Sequence, residues 1–272
     1  CALPILFYAP TRSMLESLSA RADFNQLLTA QVTLPGKVHR QYLTRGLNAS
    51  QRAHAIISHY QFVDSLGGSR LADAMTAANE LPLLELAGKD DSRFSLSASS
   101  AGKAEREGET TLWLRDGDGI VLASATFSVS RQQDRWQLTI GGLQGPRSNI
   151  SHEVIKRATR ACYGLFPKRL LMEFIWLMAA RCGIQHIYGV SDNGHVFRAL
   201  RYRLSKGRHF HASYDEFWQS IEGVADGAWR WRLPLKLERK TLESIASKKR
   251  AEYRRRFQLL DDMAAQMTIL ID

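Results

Sequence analysis

WQLTIGGLQGPRSNISHEVIKRATRACYGLFPKRLLMEFIWLMAARCGIQHIYGVSDNGHV, residues 136–196, reads as a strand, a glycine-rich turn, a long helical region, a second strand and a polar loop. Trp136 to Ile140 alternates large apolar with polar residues and breaks at Gly141-Gly142, where unusual backbone angles are permitted. Ile184 to Val190 is the second strand, ending at Ser191-Asp192-Asn193-Gly194-His195. Between the two, Leu170, Leu171, Phe174, Leu177 and Met178 recur at helical spacing, with Pro167 near the start and Gly183 as the stop. Strand, helical crossover and strand make a βαβ-like unit, whose functional groups gather at the strand ends.

Upstream, the pattern changes twice. Leu15, Leu18, Phe24, Leu27 and Leu28 recur at helical intervals until Leu34-Pro35-Gly36-Lys37 breaks them, and Ala53, Ile56, Ile57, Tyr60 and Val63 form the stripe of a helix from Ser50 to Gly67-Gly68. His59 on that helix is expected to be a satisfied core residue. Met75 to Leu86 is short and mixed. Residues 94–97, 110–114 and 121–129 are strand-like, the last two separated by Asp116-Gly117-Asp118-Gly119. With residues 136–140 they make about four successive strands, an antiparallel meander. The expected class is α+β: N-terminal helices over 1–88, then an α/β core over 89–272 that ends in a basic helix.

At 272 residues and 44% hydrophobic composition the chain can bury a full core. Its net charge is +10, and residues 229–256 hold eleven basic against three acidic side chains. Nearly all the excess therefore sits in the C-terminal quarter, pointing either to an anionic partner such as phosphate, RNA or an acidic membrane face, or to a solvated helix face. Cys1, Cys162 and Cys182 are too few and too scattered for a disulfide framework or zinc site, so a reduced, cytoplasmic protein is expected. The opening at Cys1 without Met reads as a trimmed or processed end. The most hydrophobic run, 170–184, contains Glu173 and Arg181 and is too short to span a bilayer.

Three segments carry the candidate site residues. Ser191, Asp192, Asn193 and His195 follow a strand; a carboxylate near an imidazole can orient it as a general base, while Asp and Asn there also serve as turn caps. Gly141, Gly142, Gln144, Gly145 and Arg147 form a loop whose amides and guanidinium suit an anion, or a tight turn that simply needs Gly and Pro. Ser247 can cap a helix whose stripe is Tyr253, Phe257, Leu260, Ala264 and Met267; Lys248, Lys249 and Arg250 then occupy its first turn, where the dipole disfavours cations, and Arg254 to Arg256 extend the charge. Trp229, Arg230, Trp231 and Arg232 interleave aromatics with arginines. His209, His211, Asp215 and Glu216 contain metal-type ligands, but Tyr214 to Trp218 is better read as a helix that packs Phe217 and Trp218 into the core. No metal is expected.

The helix-to-loop run LLMEFIWLMAARCGIQHIYGVSDN (170–193), after a meander, resembles the central helix and following strand of the GCN5-related N-acetyltransferase fold. That resemblance implies an acyl-carrier pyrophosphate on the amides at the start of the helix. Gly141 to Arg147 does not reproduce that fold's Arg/Gln-x-x-Gly-x-Gly/Ala pattern, and a helix over 151–163 intervenes. A wider resemblance rests on HYQFVDSL (59–66), EGETTLWL (107–114), IGGLQGP (140–146), IKRATRACYGLFPKRLL (155–171), VSDNGH (190–195), YDEFW (214–218) and SKKRAEYRRRFQLLD (247–261). These phrases, in this order, look like the bacterial VirK/YbjX family. The resemblance implies an envelope-related role linked to virulence and to resistance against cationic antimicrobial peptides; the expected location is the cytoplasm, with peripheral contact at the inner membrane.

Two function classes stay open. The preferred one is an acyl- or aminoacyl-transferase with acyl-coenzyme A or aminoacyl-tRNA as donor, held by the Gly141 to Arg147 loop and the basic helix, with Asp192 and His195 near the acceptor. The other is a non-catalytic binder of anionic membrane lipid or nucleic acid through the basic C-terminal segment.

Overall fold

The computed structural model describes residues 7–198 and 213–271. Four helices come first: α1 (Tyr8–Ser19), α2 (Phe24–Ala30), α3 (Ala49–Ser65) and α4 (Arg70–Thr76). Strands β1 (Leu81–Ala87), β2 (Arg93–Ser100), β3 (Thr110–Asp116), β4 (Val121–Gln132) and β5 (Arg135–Gln144) follow. Helices α5 (His152–Ala161) and α6 (Pro167–Arg181) lead to β6 (Ile184–Val190), and α7 (Tyr214–Ser220), β7 (Val224–Asp226), β8 (Arg230–Leu233) and α8 (Ser247–Ile271) complete the chain. The strands form one sheet ordered β1-β2-β3-β4-β5-β6-β8-β7. All neighbours are antiparallel except β5 and β6, which run parallel across the α5–α6 connection. The α+β class, the meander and the βαβ-like unit therefore stand as expected.

Local chemistry sets the helix starts. Asn48 and Gln51 make a reciprocal capping box on α3, with each side-chain oxygen accepting from the other residue's amide at 2.9 Å. Ser69, Ser151 and Ser213 cap α4, α5 and α7. Helix α6 differs: Pro167 occupies its start, Phe166 supplies no side-chain cap, and its first turn has no acid. It is also the most deeply buried helix. Leu170, Leu171, Met172, Phe174, Ile175 and Met178 are fully buried, each contributing about 1.5–3 kcal/mol by leaving water. It packs across β3 to β6 and against α8, while α3 packs on β4.

Some expectations need correction. Gly141 and Gly142 lie inside β5, which continues to Gln144. The mixed segment from Met75 to Leu86 holds the end of α4 and most of β1, so the sheet begins ahead of residue 89. Strands β7 and β8 were not anticipated, because three- and four-residue strands carry too few alternations to show periodicity. His209 and His211 lie outside the described residues. No helix among the described residues is long and apolar enough to cross a membrane.

Candidate functional site

The two parallel strands separate at a β-bulge. Ile140 stands opposite Phe127 and Gly142 opposite Thr126, so Gly141 is an extra residue in β5. The pairing of β5 with β6 ends at Ile140 and Gly189. Beyond that point β5 continues along β4 alone, while β6 pairs with β8 and leaves through Ser191. A Cβ on Gly141 would strike the backbone of Glu107 and Leu43, and one on Gly142 the Glu107 carboxylate. The glycine pair thus makes room for a buried acid at the point of divergence.

Glu107 is 2% exposed and His195 fully buried, and Nε2 of His195 lies 3.1 Å from Oε1 of Glu107. Nδ1 accepts from the Phe197 amide at 3.3 Å, which makes Nε2 the protonated nitrogen, donating to the carboxylate. The exposed Gln144 side chain donates to both Glu107 oxygens at 3.4 Å, linking the carboxylate to the surface. Tyr214 stacks on the imidazole with ring centroids 5.4 Å apart, and its hydroxyl oxygen accepts from the Leu143 amide at 3.3 Å. Burial, then the Glu107 charge, pushes the Tyr214 phenol well above its ordinary range, so it stays protonated.

The loop residues singled out in the sequence are placed differently. Asp192 does not orient His195; its Oδ1 accepts from the Tyr214 amide at 2.8 Å, and its own amide donates to Asp215 at 3.0 Å. Ser191 Oγ donates to Ala228 O and accepts from the Gly194 amide, closing the turn. Asn193 is exposed, and its carbonyl accepts from Arg45 at 3.1 Å. The polar loop therefore fixes α7, and with it Tyr214, against His195. The imidazole's acid comes from the segment just before β3. Sequence reasoning missed Glu107 because its partner is 88 positions away. The available signal was the pair of acids in EGETTLWL, set directly before a strand whose first three residues are buried.

A cavity of about 620 Å³ opens beside the end of β5, lined by Leu122, Gly145, Pro146, Ile155, Phe166 and Lys168 among others. Gly145 reaches this cavity, while Arg147 is exposed beyond it. Lys168 lies 6.0 Å from the ring of Phe217, one helical turn after Tyr214, so β5 and α7 join the cavity to the Glu107 cluster. Burial lowers the Lys168 ammonium, and no described carboxylate pairs with it.

The basic helix stands apart from the Glu107 cluster. Arg256 Nε donates to Tyr163 O at 2.7 Å, securing α8 to the end of α5. Lys248, Lys249, Arg254 and Arg255 are exposed, with no ion pair among the described residues, and Arg250 donates to Ile245 O. The arginine–tryptophan run is partly consumed by structure: Trp231 donates to Asp215, Arg230 pairs with Asp226, and Arg45 lies over Trp229 at 4.7 Å.

A second buried charge also escaped sequence reading. Glu109, two residues from Glu107, meets Lys37 Nζ at 2.5 Å, with Gln31 and Tyr60 donating to its other oxygen. This network joins the N-terminal helices to the sheet. Burial lifts the thiols of Cys162 to about 12 and Cys182 to about 11, which leaves both unreactive near neutrality. No group of three or more metal-type ligands occurs among the described residues.

Residues 1–268 match the family described as protein of unknown function (DUF535). The chain is 40% identical over 256 residues to the uncharacterized protein YbjX of Escherichia coli (strain K12), covering 94% of this chain and 77% of that one. It is 27% identical over 259 residues to an uncharacterized protein of Haemophilus influenzae, covering 95% and 84%. The chain thus belongs to the DUF535 family, that of the bacterial VirK/YbjX proteins.

Proposed function

We propose that the chain is an acyl- or aminoacyl-transferase that takes its acyl group from a phosphate-containing donor and passes it to an envelope-, peptide- or lipid-type acceptor. The observation that carries this reading is the bulge at Gly141, where β5 and β6 part over a buried Glu107–His195 pair and beside a cavity with a lysine that no described carboxylate pairs. Acyl transfer needs a base for the acceptor, a proton for the leaving group and a place for the donor. Glu107 is the base, held by His195 and opened to the acceptor when the Gln144 side chain that covers it swings aside. The Tyr214 hydroxyl, kept protonated by burial, donates a hydrogen bond to the leaving group, whose proton is the one Glu107 has taken from the acceptor. Lys168 and the uncapped start of α6 receive the donor's phosphates. Asp192 positions Tyr214, in a turn that Ser191 closes. The donor is acyl-coenzyme A or aminoacyl-tRNA. The family resemblance supports a part in virulence and antimicrobial-peptide resistance, and an envelope-type acceptor suits action at the cytoplasmic face of the inner membrane.

Native mass spectrometry with each donor tests this reading. Stoichiometric binding that survives moderate salt and weakens in Lys168→Met supports it; binding to neither donor contradicts it. The exposed Lys248, Lys249, Arg254 and Arg255, without an ion pair among the described residues, favour a second reading, a binder of RNA or anionic lipid without catalysis. In that case binding extends to any polyanion and falls steeply with salt.

A further inference from the structure

The lining of the cavity carries more than a place for phosphate. Leu122, Pro146, Ile155, Phe166 and Pro167 give it apolar walls, and its volume lies within the range of about 300–1,000 Å³ typical of small-ligand sites. Phe166 is 48% exposed at this cavity, a large apolar ring left facing solvent although the helix it precedes is the best-buried in the fold. The cations are at its edge. Lys156 and Arg160 reach it from α5, where both share Glu153 in exposed contacts of 2.7 and 3.9 Å that contribute little. Lys168 is the half-buried one, flanked by Phe217, with no described carboxylate to neutralise it. An apolar recess edged by three cations complements a molecule with the opposite division: a hydrocarbon chain that ends in an anion.

We infer that this cavity binds a single hydrocarbon chain carrying an anionic phosphate head, with the chain among Leu122, Ile155 and Phe166 and the head on Lys168, Lys156 and Arg160. The inference deepens the transferase reading, on which it rests for its function: the group transferred is a long-chain acyl group. It also narrows the donor, because an aminoacyl ester brings no chain to fill the recess.

The test is calorimetric titration with octyl, decyl and dodecyl phosphate below their aggregation limits, with inorganic phosphate and dodecyltrimethylammonium as controls. Each added pair of methylenes is expected to tighten binding about tenfold until the cavity is full. The cationic amphiphile should bind at least about tenfold more weakly than the phosphate of the same chain, and Lys168→Met should remove that preference while leaving the chain-length series intact. Thr159→Phe, which projects a ring into the cavity from α5, should flatten the series in a protein whose thermal unfolding shows it folded. Equal affinity for inorganic and dodecyl phosphate would overturn the inference, as would a series unchanged by Thr159→Phe. Lauroyl-coenzyme A and phosphatidylglycerol vesicles then separate the two sources of such a ligand, a soluble acyl carrier or a membrane lipid. Acetyl transfer without chain-length dependence would sink only this inference; chain-length dependence without transfer from any donor would sink only the transferase.

Discussion

Replacing Lys37 by Met tests whether the Lys37–Glu109 network joins the N-terminal helices to the sheet. Lys37 is 3% exposed and the Glu109 carboxylate fully buried, 2.5 Å away. Burial lowers the Lys37 ammonium while Glu109 acts against that shift, so each charge is tolerated because of the other. Methionine fills similar space but leaves the carboxylate with only Gln31 and Tyr60, and it strips Gln31 Oε1 of its 2.6 Å donor. Removing one partner of a buried pair costs about 3–5 kcal/mol. At roughly 2–4 °C per kcal/mol for a chain of this size, the midpoint of thermal unfolding should fall by about 6–20 °C. The double variant Lys37→Met/Glu109→Gln removes both charges and should recover at least half of the loss. Urea unfolding followed by circular dichroism gives both numbers. A loss for Lys37→Met below about 1 kcal/mol, the scale of an exposed pair, would refute the reasoning.

Three further outcomes are expected. His59 is buried between the Thr110 hydroxyl and the Val129 amide, and burial lowers its pKa to about 3; below pH 6.5 the unfolded chain takes a proton that the folded chain refuses. Its stability contribution is therefore complete above pH 6.5 and lost by about 1.4 kcal/mol per pH unit down to about pH 3, and His59→Gln should flatten this slope in denaturant titrations at successive pH values. Gly142→Ala places a methyl on the Glu107 carboxylate and should cost about 1–3 kcal/mol in urea unfolding, with a smaller penalty when Glu107→Ala is already present. Phe174→Ala, at a fully buried position on α6, should cost about 3–5 kcal/mol, measured in the same way.

The parts of the fold that were legible in the sequence are those with long periodicity. Strand β6 spans Ile184–Val190 as expected, α3 follows its apolar stripe, and His59 is the satisfied core residue its helix suggested. What escaped was set by tertiary register. Gly141 and Gly142 look like a chain break in sequence, but in the sheet they are the bulge that admits Glu107. Asp192 is three positions from His195, yet the helix amide at Tyr214 claims it, while the imidazole takes an acid from across the fold. Proximity in sequence is a poor guide to pairing here, because the amide at the start of α7, 22 positions on, takes the Asp192 carboxylate.

The most direct test of the transferase claim is to follow labelled acyl groups from acyl-coenzyme A, and labelled amino acids from aminoacyl-tRNA, into bacterial envelope fractions. The wild type is compared with Glu107→Gln and Tyr214→Phe variants whose folding has been verified. The account predicts transfer from one of these donors by the wild type, reduced roughly a hundredfold or more in Glu107→Gln and substantially in Tyr214→Phe. Transfer by Glu107→Gln at the wild-type rate, or no transfer from either donor, would contradict it.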